Sequence, residues 1–198
     1  TGPSLSPFNA WVLLKGMETL KLRVMAQCES AFKVAAALEA MKGVARVTYP
    51  WLDSHPQAAL CRKQMQAGGT MVTFELAGGK QAAFDMLRKL EIIDISNNLG
   101  DAKSLITHPA TTTHRNIGQQ ARDEMGVSDG MVRLSVGLED VDDLIGDLRQ
   151  ALGAEKQQHQ GEDEQQFPAA GHAGDDGEGC GHGRNLLASG TTSAAARR

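Results

Sequence analysis

The sequence predicts a layered α/β domain, with helices packed on a small sheet, followed by a tail with no fold of its own. Three observations carry this expectation. Apolar residues recur at helical spacing in some segments and alternate residue by residue in others. Helices and strands so defined interleave up to Leu152. Periodicity then stops near Gly153.

Taken in order, Ser6 is suited to an N-cap and Pro7 to a first helical turn, opening a helix through Trp11, Leu14, Leu20 and Val24. The spacing Ala31, Val34, Ala35, Leu38, Met41 continues it on one face until Gly43, so one long helix is expected over residues 1–42. Val44 to Tyr49 reads as a strand cut off by Pro50. A helix from Gln57 to Gln66 closes at Gly68-Gly69. Met71 to Leu76 alternates Val72, Phe74 and Leu76 against Thr73 and Glu75, the pattern of a half-exposed strand. Ala77-Gly78-Gly79 is a turn, Gln81 to Leu90 a helix, and Ile92 to Ile95 a short buried strand. The stretch Asn97 to His114, with Gly, Pro and several threonines, reads as an ordered loop. Gln119 to Met125 is a short helix and Val132 to Val136 a strand. Val141, Leu144, Ile145, Leu148 and Leu152 form one face of a last helix, capped by Asp140, with Asp142 and Asp143 where the helix dipole favours anions. Strand order and direction do not follow from this pattern.

Composition narrows the partners. A chain of 198 residues with 41% hydrophobic content can bury a core. A net charge of −4 and a pI of 5.8 lack the basic footprint of a nucleic-acid binder. No apolar run approaches the roughly 18 to 20 residues that cross a bilayer. Thr1 to Leu5 has no basic and apolar leader pattern. Cys28, Cys61 and Cys180 are odd in number and unpatterned, which suits a reducing, cytoplasmic setting. The chain starts at Thr1, so a piece of a longer product is expected. From Ala154 on, Gln, Gly, Glu, Asp, His and Ala dominate, and residues 153–198 are expected to be disordered, or to be read in a shifted frame. His159, His172, His182 and Cys180 lack zinc-site spacing, so no metal site is expected.

Several short stretches imitate catalytic motifs. Ala77-Gly78-Gly79-Lys80 lacks the spacing of a phosphate loop and its following Ser or Thr. Asp53, Ser54 and His55 are adjacent, whereas a triad is assembled across a fold. Cys28 and Cys61 have no visible activating neighbours and read as small core residues. Arg133 is different. It interrupts the apolar run MVRLSVG, where an unpaired charge is costly. On sequence physics alone it pairs with an internal acid such as Asp94 or Glu139, faces water, or binds something. The long polar stretch ISNNLGDAKSLITHPATTTH is either a loop satisfying its own backbone or a functional one.

Four separated segments carry a resemblance. SPFNAWVLLKGMETLKLR (Ser6 to Arg23), YPWLDSHPQ (Tyr49 to Gln57), NNLGDAKSLITHPATTTH (Asn97 to His114) and VRLSVGLEDVDDLIGDLRQAL (Val132 to Leu152) resemble the Cys/Met-metabolism family of pyridoxal-phosphate (PLP) enzymes, in order, up to about residue 152. The resemblance implies the C-terminal small domain of a fold-type I PLP enzyme at residues 43–152. Residues 1–42 would be a long helix linking it to a large domain that holds most of the cofactor contacts. None of Lys15, Lys21, Lys33, Lys42, Lys63, Lys80, Lys89, Lys103 and Lys156 stands in the family's Schiff-base context, so no catalytic residue is expected in this segment.

By the same resemblance, Arg133 matches the family arginine that clamps the α-carboxylate of an amino-acid substrate. Asn98 stands where many members have a serine that helps hold that carboxylate. Asn97 stands where cystathionine-using branches often have a glutamate. Thr113 and His114 match residues expected to order the loop. The double asparagine looks most like the O-succinylhomoserine sulfhydrylase branch, which implies homocysteine formation in methionine biosynthesis and a homotetramer. Methionine or cystathionine γ-lyase, cystathionine γ-synthase and a non-catalytic product acting in assembly remain alternatives. The N-terminal helix is expected to expose an apolar face to the large domain, leaving the isolated segment marginally stable.

Overall fold

The computed structural model describes residues 4–153, so the expected tail and its His159, His172, His182 and Cys180 lie outside the described residues. The chain forms a mixed sheet of five strands in the order β1-β2-β5-β4-β3. These are β1 (Val44–Thr48), β2 (Met71–Leu76), β3 (Asp94–Ile95), β4 (Leu105–Thr107) and β5 (Met131–Ser135). β5 lies in the middle, antiparallel to both β2 and β4. β3 adds parallel to β4 at the far edge.

The alternation in β2 decides which face of the sheet is covered. Val72, Phe74 and Leu76 are buried together with Val132, Leu134 and Val136 of β5 and Ile106 of β4. Three helices pack against these side chains. They are α2 (Leu20–Glu39) through Ala31, Val34, Ala35 and Leu38, α4 (Gly79–Leu87) through Ala83, Met86 and Leu87, and α6 (Val141–Ala151) through Leu144, Leu148 and Ala151. Two short helices, α3 (Ala58–Gln64) and α5 (Gln119–Glu124), complete the connections. On the opposite sheet face Met71, Thr73, Glu75, Met131 and Arg133 remain half-buried. Among the described residues no helix is long and apolar enough to cross a membrane.

The expected single N-terminal helix is two helices, α1 (Pro7–Glu18) and α2, interrupted at Thr19. Gly16 and Thr19 are weak helix formers, and the Arg23 guanidinium donates to the Gly16 carbonyl at 2.8 Å, replacing a broken backbone bond. Ser6 caps α1 as its position suggests, accepting from the Asn9 amide. The apolar surface of α1 is open to solvent, with Phe8 69% and Met17 65% exposed. At the other end of the chain, Asp140 caps α6 through the amides of Asp142 and Asp143.

Two further expectations change. The segment Ile92 to Ile95 is not a buried strand. Only Asp94–Ile95 pairs, and as an edge it leaves Ile95 63% exposed while Ile93 turns inward. The stretch read as a loop contains the buried strand β4 and two 3-10 turns, Pro109–Thr111 and Arg115–Ile117. Cys28 is buried, which pushes its thiol pKa up, whereas Cys61 is only half-buried. Asp53, Ser54 and His55 face separate partners: Arg62, Glu39 and the Gln57 amide.

Candidate functional site

Arg133 sits on the central strand, hydrogen-bonded into the sheet on both sides. Its register partners are Thr73 on β2 and Thr107 on β4. A side chain rooted there starts from a rigid backbone, because neither neighbouring strand is free to move independently. Alternation places Arg133 on the face opposite the core, since Val132 and Leu134 point inward. The guanidinium therefore reaches the open face without crossing apolar packing.

Among the described residues its one hydrogen-bond partner is a carbonyl: Arg133 Nη2 donates to the Asn97 main-chain oxygen at 2.9 Å. Among the described residues no carboxylate lies within ion-pairing distance of it. The two acids that sequence alone offered are engaged elsewhere. Asp94 pairs with Lys103 at 3.2 Å. Glu139 accepts from the Ser104 amide at 2.6 Å and the Ser104 hydroxyl at 2.8 Å. A guanidinium has five N–H donors in a planar fork, so one carbonyl leaves most of them available. Such a fork matches a planar carboxylate with two parallel bonds.

Asn97 comes to Arg133 as a direct neighbour, and its side-chain Oδ1 accepts from the Thr107 hydroxyl at 2.8 Å. Asn98 follows in an exposed turn, where its amide donates to Ser96 Oγ at 3.2 Å. The turn is tied to β5 at Gly100, whose amide donates to Ser135 Oγ at 2.9 Å. It is tied to α2 by Gln27, whose side-chain amide donates to the carbonyls of Asp101 at 2.7 Å and Val136 at 2.9 Å. Among the described residues no hydrogen bond joins Thr113 or His114 to Arg133. They bond to each other at 2.8 Å, and the His114 amide closes onto the Pro109 carbonyl at 2.9 Å.

His108 is the buried centre of the following segment. Its Nδ1 bonds Thr111 Oγ1 at 2.9 Å, its Nε2 bonds the Asp129 carbonyl at 2.8 Å, and its ring lies 5.2 Å from that of Phe84. With both nitrogens occupied it is a structural fastener. Sequence reasoning missed Thr107, Ser135 and His108 as supports of the site. The signal lay in the short apolar run Leu105-Ile106 ahead of Thr107, hidden between loop-forming residues. Among the described residues no group of His, Cys, Asp and Glu side chains could hold a metal ion.

Known proteins are similar to this chain in sequence and fold. An O-succinylhomoserine sulfhydrylase of Mycobacterium tuberculosis (strain H37Rv) is 57% identical over 156 residues, covering 77% of this chain and 38% of that protein. An L-methionine gamma-lyase of Pseudomonas putida is 44% identical over 154 residues, covering 78% of this chain and 39% of that protein. Among solved structures, a Campylobacter jejuni protein assigned as an O-acetylhomoserine (thiol)-lyase matches with a TM-score of 0.73 and 38% identity. That match covers 77% of this chain and 37% of the other, and its structure carries N'-pyridoxyl-lysine-5'-monophosphate. The chain thus spans about two-fifths of the length of the relatives it matches. The family model for Cys/Met metabolism PLP-dependent enzymes matches residues 1–153, and together with these identities and the shared fold it shows that the chain belongs to that family.

Proposed function

We propose that this chain is the substrate-anchoring part of a PLP-dependent trans-sulfuration enzyme, and that Arg133 holds the α-carboxylate of its amino-acid substrate. The observation that carries the reading is a guanidinium rooted on the central strand and set on the open sheet face, with one carbonyl on its fork and no carboxylate within ion-pairing distance among the described residues. An arginine with no ion-pair partner among the described residues suits an anion brought from outside.

The residues present fit the substrate end of such a site rather than the cofactor itself. Every described lysine side chain is exposed, and Lys15, Lys33 and Lys103 form ion pairs with Glu18, Glu29 and Asp94. A Schiff base needs a lysine enclosed away from water, so the remainder of the full-length protein would supply it. When bound, PLP supplies an electron sink for the negative charge that develops on the substrate carbon beside the carboxylate. Arg133 fixes that carboxylate and thereby the orientation of the bonds next to it, a contribution of positioning. Asn97 holds one edge of the guanidinium, while Asn98, whose main-chain amide is taken by Ser96 Oγ, offers its side-chain amide to the same carboxylate. Thr113 and His114 order the far end of the segment.

The reaction we propose for the full-length protein is the formation of homocysteine from O-succinylhomoserine and sulfide, with succinate leaving. Identity of 57% to a sulfhydrylase supports it. The 44% identity to a methionine gamma-lyase favours γ-elimination as the second reading. The full-length protein with PLP, supplied with O-succinylhomoserine and sulfide or with methionine alone, separates them. Homocysteine from the first mixture supports the sulfhydrylase; methanethiol from methionine with no homocysteine from the first mixture overturns it. A homotetramer is the proposed assembly, checked by sedimentation of the same preparation.

A further inference from the structure

We propose that Thr107 is a positioning residue for Arg133, acting through Asn97; this rests on the reading of Arg133 as the carboxylate anchor. Thr107 is 1% exposed on β4 and stands directly across from Arg133 in the strand register. Its hydroxyl lies between Asn97 Oδ1 at 2.8 Å and Thr112 Oγ1 at 3.0 Å. Thr112 donates its own proton to the His108 carbonyl at 2.8 Å, so the one Thr107 proton is shared between Asn97 Oδ1 and Thr112 Oγ1, and the shorter contact is the one to Asn97. The side chain of Asn97 is thereby fastened to the sheet, and the main-chain carbonyl of the same residue takes one arm of Arg133 at 2.9 Å.

The consequence is a clamp with two rigid roots. Arg133 and Thr107 both rise from paired strands, and Asn97 closes the gap between them. Without the Thr107 hydroxyl, the side chain of Asn97 has no other recorded partner among the described residues, and its neighbours Asn98, Leu99 and Gly100 are exposed. The carbonyl that orients the guanidinium would then ride on a short stretch fastened only at its two ends, by the Ser96 amide on the Ile106 carbonyl and the Gly100 amide on Ser135 Oγ. A long side chain held by one hydrogen bond at its tip loses orientation when that acceptor moves. The anchor would remain present but less well aimed.

The test uses the full-length holoenzyme and two probes: L-2-aminobutyrate, which carries an α-carboxylate, and 1-aminopropane, the matching amine without one. Thr107→Val keeps the volume and the β-branching of the strand residue but removes the hydroxyl, whereas Thr107→Ser retains it. Thr107→Val is expected to raise the Kd of the amino acid about three- to tenfold, the effect of one lost hydrogen bond, and to leave the amine within about twofold. Thr107→Ser is expected to stay near wild type with both probes. Asn97→Ala keeps the main-chain carbonyl but cuts its link to Thr107, and should reproduce the selective loss; it serves if Thr107→Val does not fold.

Arg133→Lys separates the two layers of the argument. If it weakens both probes alike, or neither, the carboxylate reading fails and this inference with it. If Arg133→Lys selectively weakens the amino acid while Thr107→Val and Asn97→Ala leave the ratio of the two probes unchanged, the positioning role alone is overturned. A Thr107→Val variant that weakens both probes equally reports general disturbance of the strand, and also overturns it.

Discussion

Replacing Asp147 by asparagine should cost this domain much of its stability, although Asp147 touches neither Arg133 nor its loop. The side chain is 4% exposed on α6, and its two oxygens take four donors. Oδ1 accepts from the Glu91 amide at 2.9 Å and from Gln150 Nε2 at 2.9 Å. Oδ2 accepts from the amides of Ile92 at 3.0 Å and Ile93 at 3.1 Å. It thus fastens the chain entering β3 to α6. Asparagine keeps one oxygen and turns an NH2 group on the other pair of donors. Two lost bonds to a charged acceptor, at about 1.5–3 kcal/mol each, give about 3–6 kcal/mol, against a total of about 5–15 kcal/mol for an ordinary domain.

The pH dependence has a definite sign. Burial raises the Asp147 pKa, but the Glu91 amide, the Gln150 side chain and the amides of Ile92 and Ile93 together outweigh it and hold the carboxyl below the usual aspartate value. A depressed folded pKa contributes stability that is present above about pH 4 and lost as pH falls through the folded value. Urea denaturation at neutral pH and through the acid range is the assay. The Asp147→Asn midpoint should fall steeply at pH 7, and the gap to wild type should narrow in acid. Equal midpoints at pH 7, or a gap independent of pH, would refute the clamp.

Other outcomes follow from the packing around α2. Tyr49 is the one tyrosine of the chain, fully buried, with its hydroxyl donating toward the carbonyls of Gly69 at 2.9 Å and Cys28 at 3.2 Å. Burial raises its pKa, with a further push from Cys28. The folded protein should therefore show no phenolate absorbance through pH about 10, and stability should decline as pH rises past that unfolded value; ordinary titration in the native state would contradict this. Gly68→Ala places a methyl group 2.6 Å from the Tyr49 ring and 2.7 Å from Trp51 Cβ. Tyr49 is held by its hydroxyl and cannot retreat, so thermal denaturation should show a loss of about 1–3 kcal/mol.

The periodic elements were readable from residues alone because their apolar faces are determined by one-sided burial. Val72, Phe74 and Leu76 alternate on β2, and Leu144 and Leu148 share a face of α6, as their spacing predicts. β4 was hidden because it is three residues long, too short for a period to show among Gly, Pro and Thr. The break at Thr19 was hidden because apolar spacing continues through it and outweighs the weak helix formers Gly16 and Thr19 as a signal. Arg133 was visible as an anomaly in a strand, but its lack of an acid partner among the described residues is a fact of three dimensions. Asp94 and Glu139 were reasonable partners until Lys103 and Ser104 were seen to engage them. Asn97 was singled out by resemblance, whereas its fastening by Thr107 depends on a register that sequence does not show.

The central claim is that Arg133 anchors a substrate carboxylate, and steady-state kinetics of Arg133→Ala in the full-length holoenzyme tests it most directly. Two charge-assisted bonds at about 1.5–3 kcal/mol each predict a KM for the amino-acid substrate raised at least about a hundredfold, with the cofactor's visible absorbance unchanged. A KM equal to that of wild type with absorbance intact would contradict the claim and leave Arg133 outside the site.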